Sequence, residues 1–469
     1  MTVPMNELTF VLRQLNPWWQ NGFVPEVPSF RRSPMRELQH WLKNPASHRA
    51  VLLWGCRNVG KSTLLQQSIH QLLMAGVSPV NILYVNFDYP MFRMAGIEAV
   101  LEAWRQLEPR ADGVEYLFID EPQLLARFET WVETQVDTIP KRRIFVACSS
   151  QPLPSQPPAA KLSRWHEIHV APLSFYEYLQ LNRVALPPLP KLVNLSELFE
   201  WTPQEFVRIR LFAKSYVGHF HEYLVRGGFP ATAQMESIAE CQQILREEVA
   251  GNLRRDTTAL FGVRSILDLE HTFLYLCMNG ELLDMQELCA HLKVKRPTVE
   301  HFLELLEAIH LIRRLTPHGY GKNVLRARHK IYLADAAIAP AMMWKGKALL
   351  DDADALEVAA ETAVFRHLFG RFGSDSQFSY WRQGKSYQID LVEQVGRTMI
   401  PFTVKYREQP ASPKELRVLG DCCNEKQLLR GYVVTKSCHD FGEPAFSQSK
   451  NLKLIRLPAP LLCYWLDAV

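Results

Sequence analysis

The sequence of 469 residues lacks any C-x-x-C pair. Its nine cysteines (Cys56, Cys148, Cys241, Cys277, Cys289, Cys422, Cys423, Cys438 and Cys463) are odd in number and scattered. That pattern excludes zinc-ribbon spacing and favours reduced thiols over a disulfide frame. Long apolar runs are missing too: none reaches the roughly 18 residues that a spanning helix needs, so no membrane partner is expected. No basic segment followed by an apolar one opens the chain, and the cytoplasm is the expected compartment. Charge of one sign is scarce, with a formal net charge of only +4. Only a local basic patch could then argue for nucleic acid. What remains is ordinary globular composition, 47% hydrophobic and 22% charged, in a chain long enough for two to four domains.

Against that background one segment stands out. Gly55-Cys56-Arg57-Asn58-Val59-Gly60-Lys61-Ser62, followed by Thr63, fits the phosphate-binding pattern G-x-x-x-x-G-K-[ST]. The apolar run Ala50–Trp54 before it reads as a buried strand, and residues 63–73 after it are helical in period. Glycines let the backbone curl so that its N–H groups face phosphates at the positive end of a helix. Lys61 is expected on the β- and γ-phosphates of ATP, and Ser62 on Mg²⁺.

A second strand completes the site. Glu115–Ile119 is an apolar-rich run ending in Asp120 and Glu121, and ligands collect at the carboxyl ends of parallel strands. Asp120 is expected to hold Mg²⁺ through water, with Glu121 as the base for the attacking water. The strand 144–148 ends in Ser149. That hydroxyl either senses the γ-phosphate or simply opens a loop.

Alternating strands (51–54, 81–87, 115–119, 144–148, 166–170) and helices predict an α/β domain over 31–180, a P-loop NTPase parallel sheet covered by helices on both faces. Residues 1–30 read as a lead-in packed on it, and 181–262 as a helical linker or lid. Over 263–330, helix, basic turn, helix and hairpin predict a winged helix. Lys293, Lys295, Arg296, Arg313, Arg314, Lys322, Arg326, Arg328 and Lys330 fall at its recognition helix or wing. They are expected either to contact double-stranded DNA phosphates or to form a solvated face. In 331–469, Asp390 on one strand and Lys405 on the next have the spacing of a PD-(D/E)xK metal site, with Glu361 as an acid from a helix. Thr403 stands where the middle carboxylate belongs. A C-terminal α/β restriction-endonuclease-like domain with a degenerate site is therefore expected.

The chain also resembles a prokaryotic family that joins an AAA-type P-loop ATPase, a winged helix and a C-terminal domain similar to PD-(D/E)xK nucleases. The resemblance rests on Asn16-Pro17-Trp18-Trp19, the phosphate loop with Arg57, Asp120-Glu121-Pro122-Gln123 and Ala171-Pro172-Leu173-Ser174-Phe175. It continues through Gly227-Gly228-Phe229-Pro230, Lys330–Asp335 and Tyr380-Trp381-Arg382. It implies that Arg164 stabilises charge on the γ-phosphoryl, in its own subunit or a neighbour's. The chain departs from the family at Ala147-Cys148, Ser163, Gln388 and Thr403, and the last two weaken the nuclease site. The expected function is Mg²⁺-dependent ATP binding and hydrolysis coupled to DNA or protein engagement. The alternatives are an active ATP-regulated nuclease, for example in defence against foreign DNA, and a nucleotide-gated switch or scaffold that forms a homo-oligomer and recruits a protein effector.

Overall fold

The structure, a computed structural model, describes residues 3–24, 26–44, 49–106, 113–150, 164–261, 265–280, 282–318, 328–372, 377–383, 387–395, 398–444 and 452–468. For 256–261, 382–383, 387–395 and 398 it describes the backbone course alone. The chain forms two compact units. The first comprises Met1–Val170, Arg254–Arg264 and Ala308–His310; the second comprises Ala171–Leu253, Ser265–Glu307 and Leu311–Val469.

The first unit is built on a parallel sheet of β1 (Ala50–Trp54), β2 (Ile82–Asn86), β3 (Glu115–Asp120), β4 (Arg142–Cys148) and β5 (Trp165–His169), in the order β2-β3-β4-β1-β5. β3 is buried at every position, as expected for a continuous apolar run between two helical layers. Five parallel strands near the expected positions, with helices on both faces, give the P-loop NTPase fold. The order places β4 between β1 and β3, so the loop after β1 faces the acids after β3 across two inter-strand spacings, about 10 Å.

The lead-in does more than pack on this sheet. β2 is an edge strand, and edge strands expose unpaired N–H and C=O groups. The buried Asn16 amide donates to the Tyr84 carbonyl at 2.9 Å and accepts from the Tyr84 N–H at 2.7 Å, standing in for a neighbouring strand. The Trp18 and Trp19 indoles both donate to the Ile82 carbonyl, at 3.1 and 2.9 Å.

In the second unit, β6 (Leu282–Leu283), β7 (Ile312–Leu315) and β8 (His329–Leu333) form an antiparallel sheet in the order β6-β8-β7. Helices Met285–Leu292 and Arg296–Ala308 lie between β6 and β7 in sequence. Asp284 caps the first of these helices, its carboxylate accepting from the Gln286 and Glu287 N–H groups. After helix Ala353–Phe372 comes a mixed sheet of β9 (Gln377–Gln383), β10 (Tyr387–Val395), β11 (Thr398–Lys405), β12 (Arg430–Thr435) and β13 (Lys453–Pro458) in sequential order. Only β10 runs against its neighbours, and its register shifts between Ile389 and Val392.

The motif Pro172-Leu173-Ser174-Phe175 belongs to this second unit. A buried polar hub holds it there. Tyr223 Oη donates to the Leu173 carbonyl at 2.9 Å, and the Phe175 N–H donates to His367 Nε2 at 2.8 Å. The Gly228 N–H donates to Asp335 at 2.8 Å. A Cβ on Gly228 would meet the Leu173 carbonyl oxygen at 2.4 Å, so only glycine fits. Burial keeps His367 neutral by pushing its pKa well down.

Candidate nucleotide-binding site

The loop after β1 turns where its residues permit. A Cβ on Gly55 would come within 2.1 Å of the Val170 carbonyl oxygen, so the loop passes β5 at a distance only glycine allows. Asn58 (φ 62°) and Gly60 (φ 99°) take left-handed conformations. Such reversals aim successive N–H groups to one side and make a cradle for anions. The helix Lys61–Met74 starts directly behind it. The Lys61 ammonium is buried and donates to the Gly55 and Cys56 carbonyls at 2.8 and 2.7 Å, spanning the curl of the loop. Cys56 and Val59 are buried in its wall, and Arg32 braces the Val59 carbonyl at 2.6 Å. Ser62 and Thr63 lie partly buried on the first helical turn.

Asp120 ends β3 fully buried. Its Oδ2 accepts from Tyr84 Oη at 2.9 Å, while its Oδ1 has no hydrogen-bond partner among the described residues. Burial, then the neighbouring Glu121 charge, pushes its pKa up to about 6, and the nearby Ser62 and Tyr84 hydroxyls and Lys61 pull against that rise. Glu121 has φ 53° and ψ 45°, a left-handed backbone costing about 1–3 kcal/mol for a residue with a side chain. Its N–H donates to the Ala147 carbonyl at 2.8 Å, which helps to hold that turn. The turn presents the carboxylate to three donors. Ser149 Oγ donates to Oε2 at 2.5 Å, Gln123 Nε2 donates to the same oxygen, and Arg57 Nη2 lies 3.6 Å away. Gln123 Nε2 also donates to Ser149 Oγ at 3.1 Å. Ser149 is thus fixed to Glu121 by its own hydroxyl.

Of the expected residues, Gly55 through Thr63, Asp120, Glu121 and Ser149 lie around one end of the sheet. Arg164 does not. It precedes β5, its carbonyl accepts from the N–H of Ala50 at the start of β1, and its guanidinium pairs with Asp137 at 2.8 Å. It therefore sits at the opposite end of the sheet, and in its own chain it does not reach the loop.

The basic residues also divide. Lys293, Lys295 and Arg296 are exposed, with Arg296 paired to Glu300 at 2.8 Å. Arg313 turns inward: its guanidinium stacks 3.5 Å over the Phe369 ring, and burial lowers its pKa to about 10. Arg314 pairs with Glu307 at 2.5 Å, and Arg328 pairs with Asp284. Lys330 is wholly buried against Glu361 at 2.5 Å. Arg313, Arg314 and Lys330 are thereby held in ion pairs or ring stacking, which departs from both expectations, a DNA-contacting and a freely solvated face. Lys322 and Arg326 lie outside the described residues.

The expectation for Glu361 is corrected as well. It accepts from Tyr332 Oη at 2.5 Å and is neutralised by Lys330. Glu357, one turn earlier, approaches Lys405 Nζ at 3.8 Å instead. Thr403 is buried in β11, and Gln388 and Asp390 lie on β10, Asp390 within the register shift. Sequence reasoning passed over Tyr84, Asp88 and Glu357, and quoted Gln123 without giving it a role. Asp88 could have been found as the acid just beyond a strand's carboxyl end; nothing in the sequence marks Tyr84.

Residues 47–179 match the family described as AAA domain, residues 217–349 a domain of unknown function (DUF8612) and residues 358–457 another (DUF4143). An uncharacterized protein of Methanocaldococcus jannaschii is 23% identical over 313 residues, 64% of each chain. One from Haemophilus influenzae is 24% identical over 294 residues, 60% of this chain and 66% of that protein. The chain thus spans slightly under two-thirds of both relatives. Among solved structures, a DNA replication initiation factor overlaps 61% of this chain and 92% of its own at 15% identity, TM-score 0.27. AMPPCP-bound DnaA from Aquifex aeolicus overlaps 62% of this chain and 92% of its own at 14% identity, TM-score 0.25. Overlaps that partial add nothing to what the sheet itself shows. The sheet and the loop give a P-loop NTPase fold, in the stretch where residues 47–179 match the AAA domain model.

Proposed function

We infer that the first unit binds and hydrolyses ATP with Mg²⁺. The observation carrying this reading is the pairing of the Lys61–Ser62 loop with a buried Asp120 whose Oδ1 has no hydrogen-bond partner among the described residues. One anionic oxygen beside a serine hydroxyl suits Mg²⁺, which keeps most of its waters and takes few protein ligands. Ser62 and Asp120 would hold it, and the ion would neutralise charge between the β- and γ-phosphates. Lys61 would leave the Gly55 and Cys56 carbonyls for phosphate oxygens. Glu121 would take the proton of the attacking water, with Ser149 and Gln123 fixing its orientation. Lys61→Ala removes a charge-assisted contact worth about 1.5–3 kcal/mol, so ATP affinity should fall roughly 10- to 100-fold. Unchanged affinity by titration calorimetry would refute the site.

For the second unit we propose a winged helix and a nuclease-like fold used for engagement rather than cleavage. Support for the first is the helix–strand–helix–helix–strand–strand sequence with sheet order β6-β8-β7. Exposed Lys293, Lys295 and Arg296 at the start of the second helix suit duplex DNA phosphates. Support for the second is the sequential five-stranded sheet with only β10 reversed, and Glu357 rather than Glu361 against Lys405. Thr403 and Gln388 offer neutral groups where metal-dependent cleavage needs carboxylates.

A further inference from the structure

Hydrolysis of the terminal phosphoanhydride builds charge on the γ-phosphoryl oxygens and on the bridging oxygen that leaves with ADP. A cation aimed at that charge, usually an arginine, is worth several orders of magnitude in rate. Arg164 cannot supply it within its own chain. β1 has five residues, which sets the two ends of the sheet roughly 15 Å apart.

Arg57 is placed for this role. It is the third residue of the phosphate loop, its side chain is only 12% exposed, and its Nη2 lies 3.6 Å from Oε2 of Glu121, the carboxylate read above as the base. A group beside that oxygen is within reach of the phosphorus under attack. The guanidinium is parked on Asp88, with Nη1 at 2.7 Å from Oδ2 and Nη2 at 3.2 Å from Oδ1. That pair is exchangeable: the Asp88 side chain is 37% exposed, so water screens it. Arg93 and Arg255 also act on the Asp88 charge, so Asp88 stays compensated when Arg57 leaves.

We propose that Arg57 is the catalytic arginine of this site, supplied from within the chain and moving from Asp88 to the γ-phosphoryl oxygens during hydrolysis. The inference rests on the ATP-hydrolysis reading above. In the step, the water oxygen bonds to phosphorus, the bond from phosphorus to the bridging oxygen breaks, and the electron pair leaves on ADP. The water proton passes to Glu121. Arg57 makes and breaks no covalent bond, and its fork can contact two phosphoryl oxygens as a lysine point charge cannot.

The test compares wild type with Arg57→Ala, Arg57→Gln and Arg57→Lys by phosphate release, Mg–ATP titration and thermal melting. Loss of kcat by about 100-fold or more, with Kd nearly unchanged, is expected for Ala and Gln. Lys should recover little. Guanidine at millimolar concentration should restore turnover to Arg57→Ala, and MgADP with aluminium fluoride should form a tight complex only with wild type. If Ala is unstable, Gln carries the test, since it keeps bulk and loses charge. Turnover near wild type, a Kd loss that accounts for the whole kcat/KM loss, or no guanidine rescue in a folded variant overturns the assignment. Wild type that binds Mg–ATP without turning it over overturns it too. Wild type that binds no ATP instead removes the parent reading.

Discussion

At the residue scale the informative group is Asp120. Its carboxyl is raised to about 6 by burial and by Glu121, so between its ordinary range and pH 6 the folded protein binds a proton the unfolded chain does not. Its contribution to stability therefore declines as pH rises through that window and is level above it. Metal binding runs the other way, because the ion needs the charged form and competes with the proton. Mg²⁺-dependent turnover should fall as pH drops through about 6. Tyr84→Phe removes a hydrogen bond that favours the charged form, so the acid limb of the kcat/KM profile should move to higher pH. A limb that stays put or moves lower would show that another group sets it.

At the scale of elements, strands were legible and partners were not. The apolar runs ending in Trp54, Asn86, Asp120 and Cys148 became β1 to β4 because a buried parallel strand is apolar on both faces. Helical period put Glu357 and Glu361 on one face, but which turn meets Lys405 depends on how the helix lies on the sheet, and sequence does not encode that locally. The same limit applied to the basic residues. Arg313 and Lys295 look alike in sequence, yet one stacks on Phe369 and the other faces solvent. Among the described residues, Lys293, Lys295 and Arg296 are the exposed basic groups at the start of helix Arg296–Ala308 on which the DNA proposal can be tested. Changing Lys293, Lys295 and Arg296 together to Glu should abolish duplex binding, which in the parent should weaken with salt by roughly −0.9 log units per phosphate contact. Retained binding in a fluorescence anisotropy titration would move the contact elsewhere or leave this module a spacer.

For the whole molecule, motifs distant in sequence turned out to serve two different ends. The loop at 55–62 and the acids at 120–121 meet around chemistry, as their spacing on alternating strands and helices foretold. Pro172–Phe175, Gly227-Gly228 and Asp335 meet in a buried hub that fixes the second unit, a role no local pattern announces. In the C-terminal sheet, neutral Thr403 is buried on β11 where the proposed nuclease-like site would need a carboxylate. No nicking of plasmid DNA is expected with Mg²⁺ or Mn²⁺, and cleavage that vanishes in Asp390→Ala would contradict that.

Glu121 is the proposed base of the ATP-hydrolysing site. The most direct measurement is single-turnover hydrolysis of Mg–ATP by wild type and by Glu121→Gln, each paired with an ATP-binding titration. The variant should bind ATP as wild type does and hydrolyse it about 10²- to 10⁴-fold more slowly, the usual worth of a positioned general base. Equal hydrolysis rates in the two proteins would contradict the account.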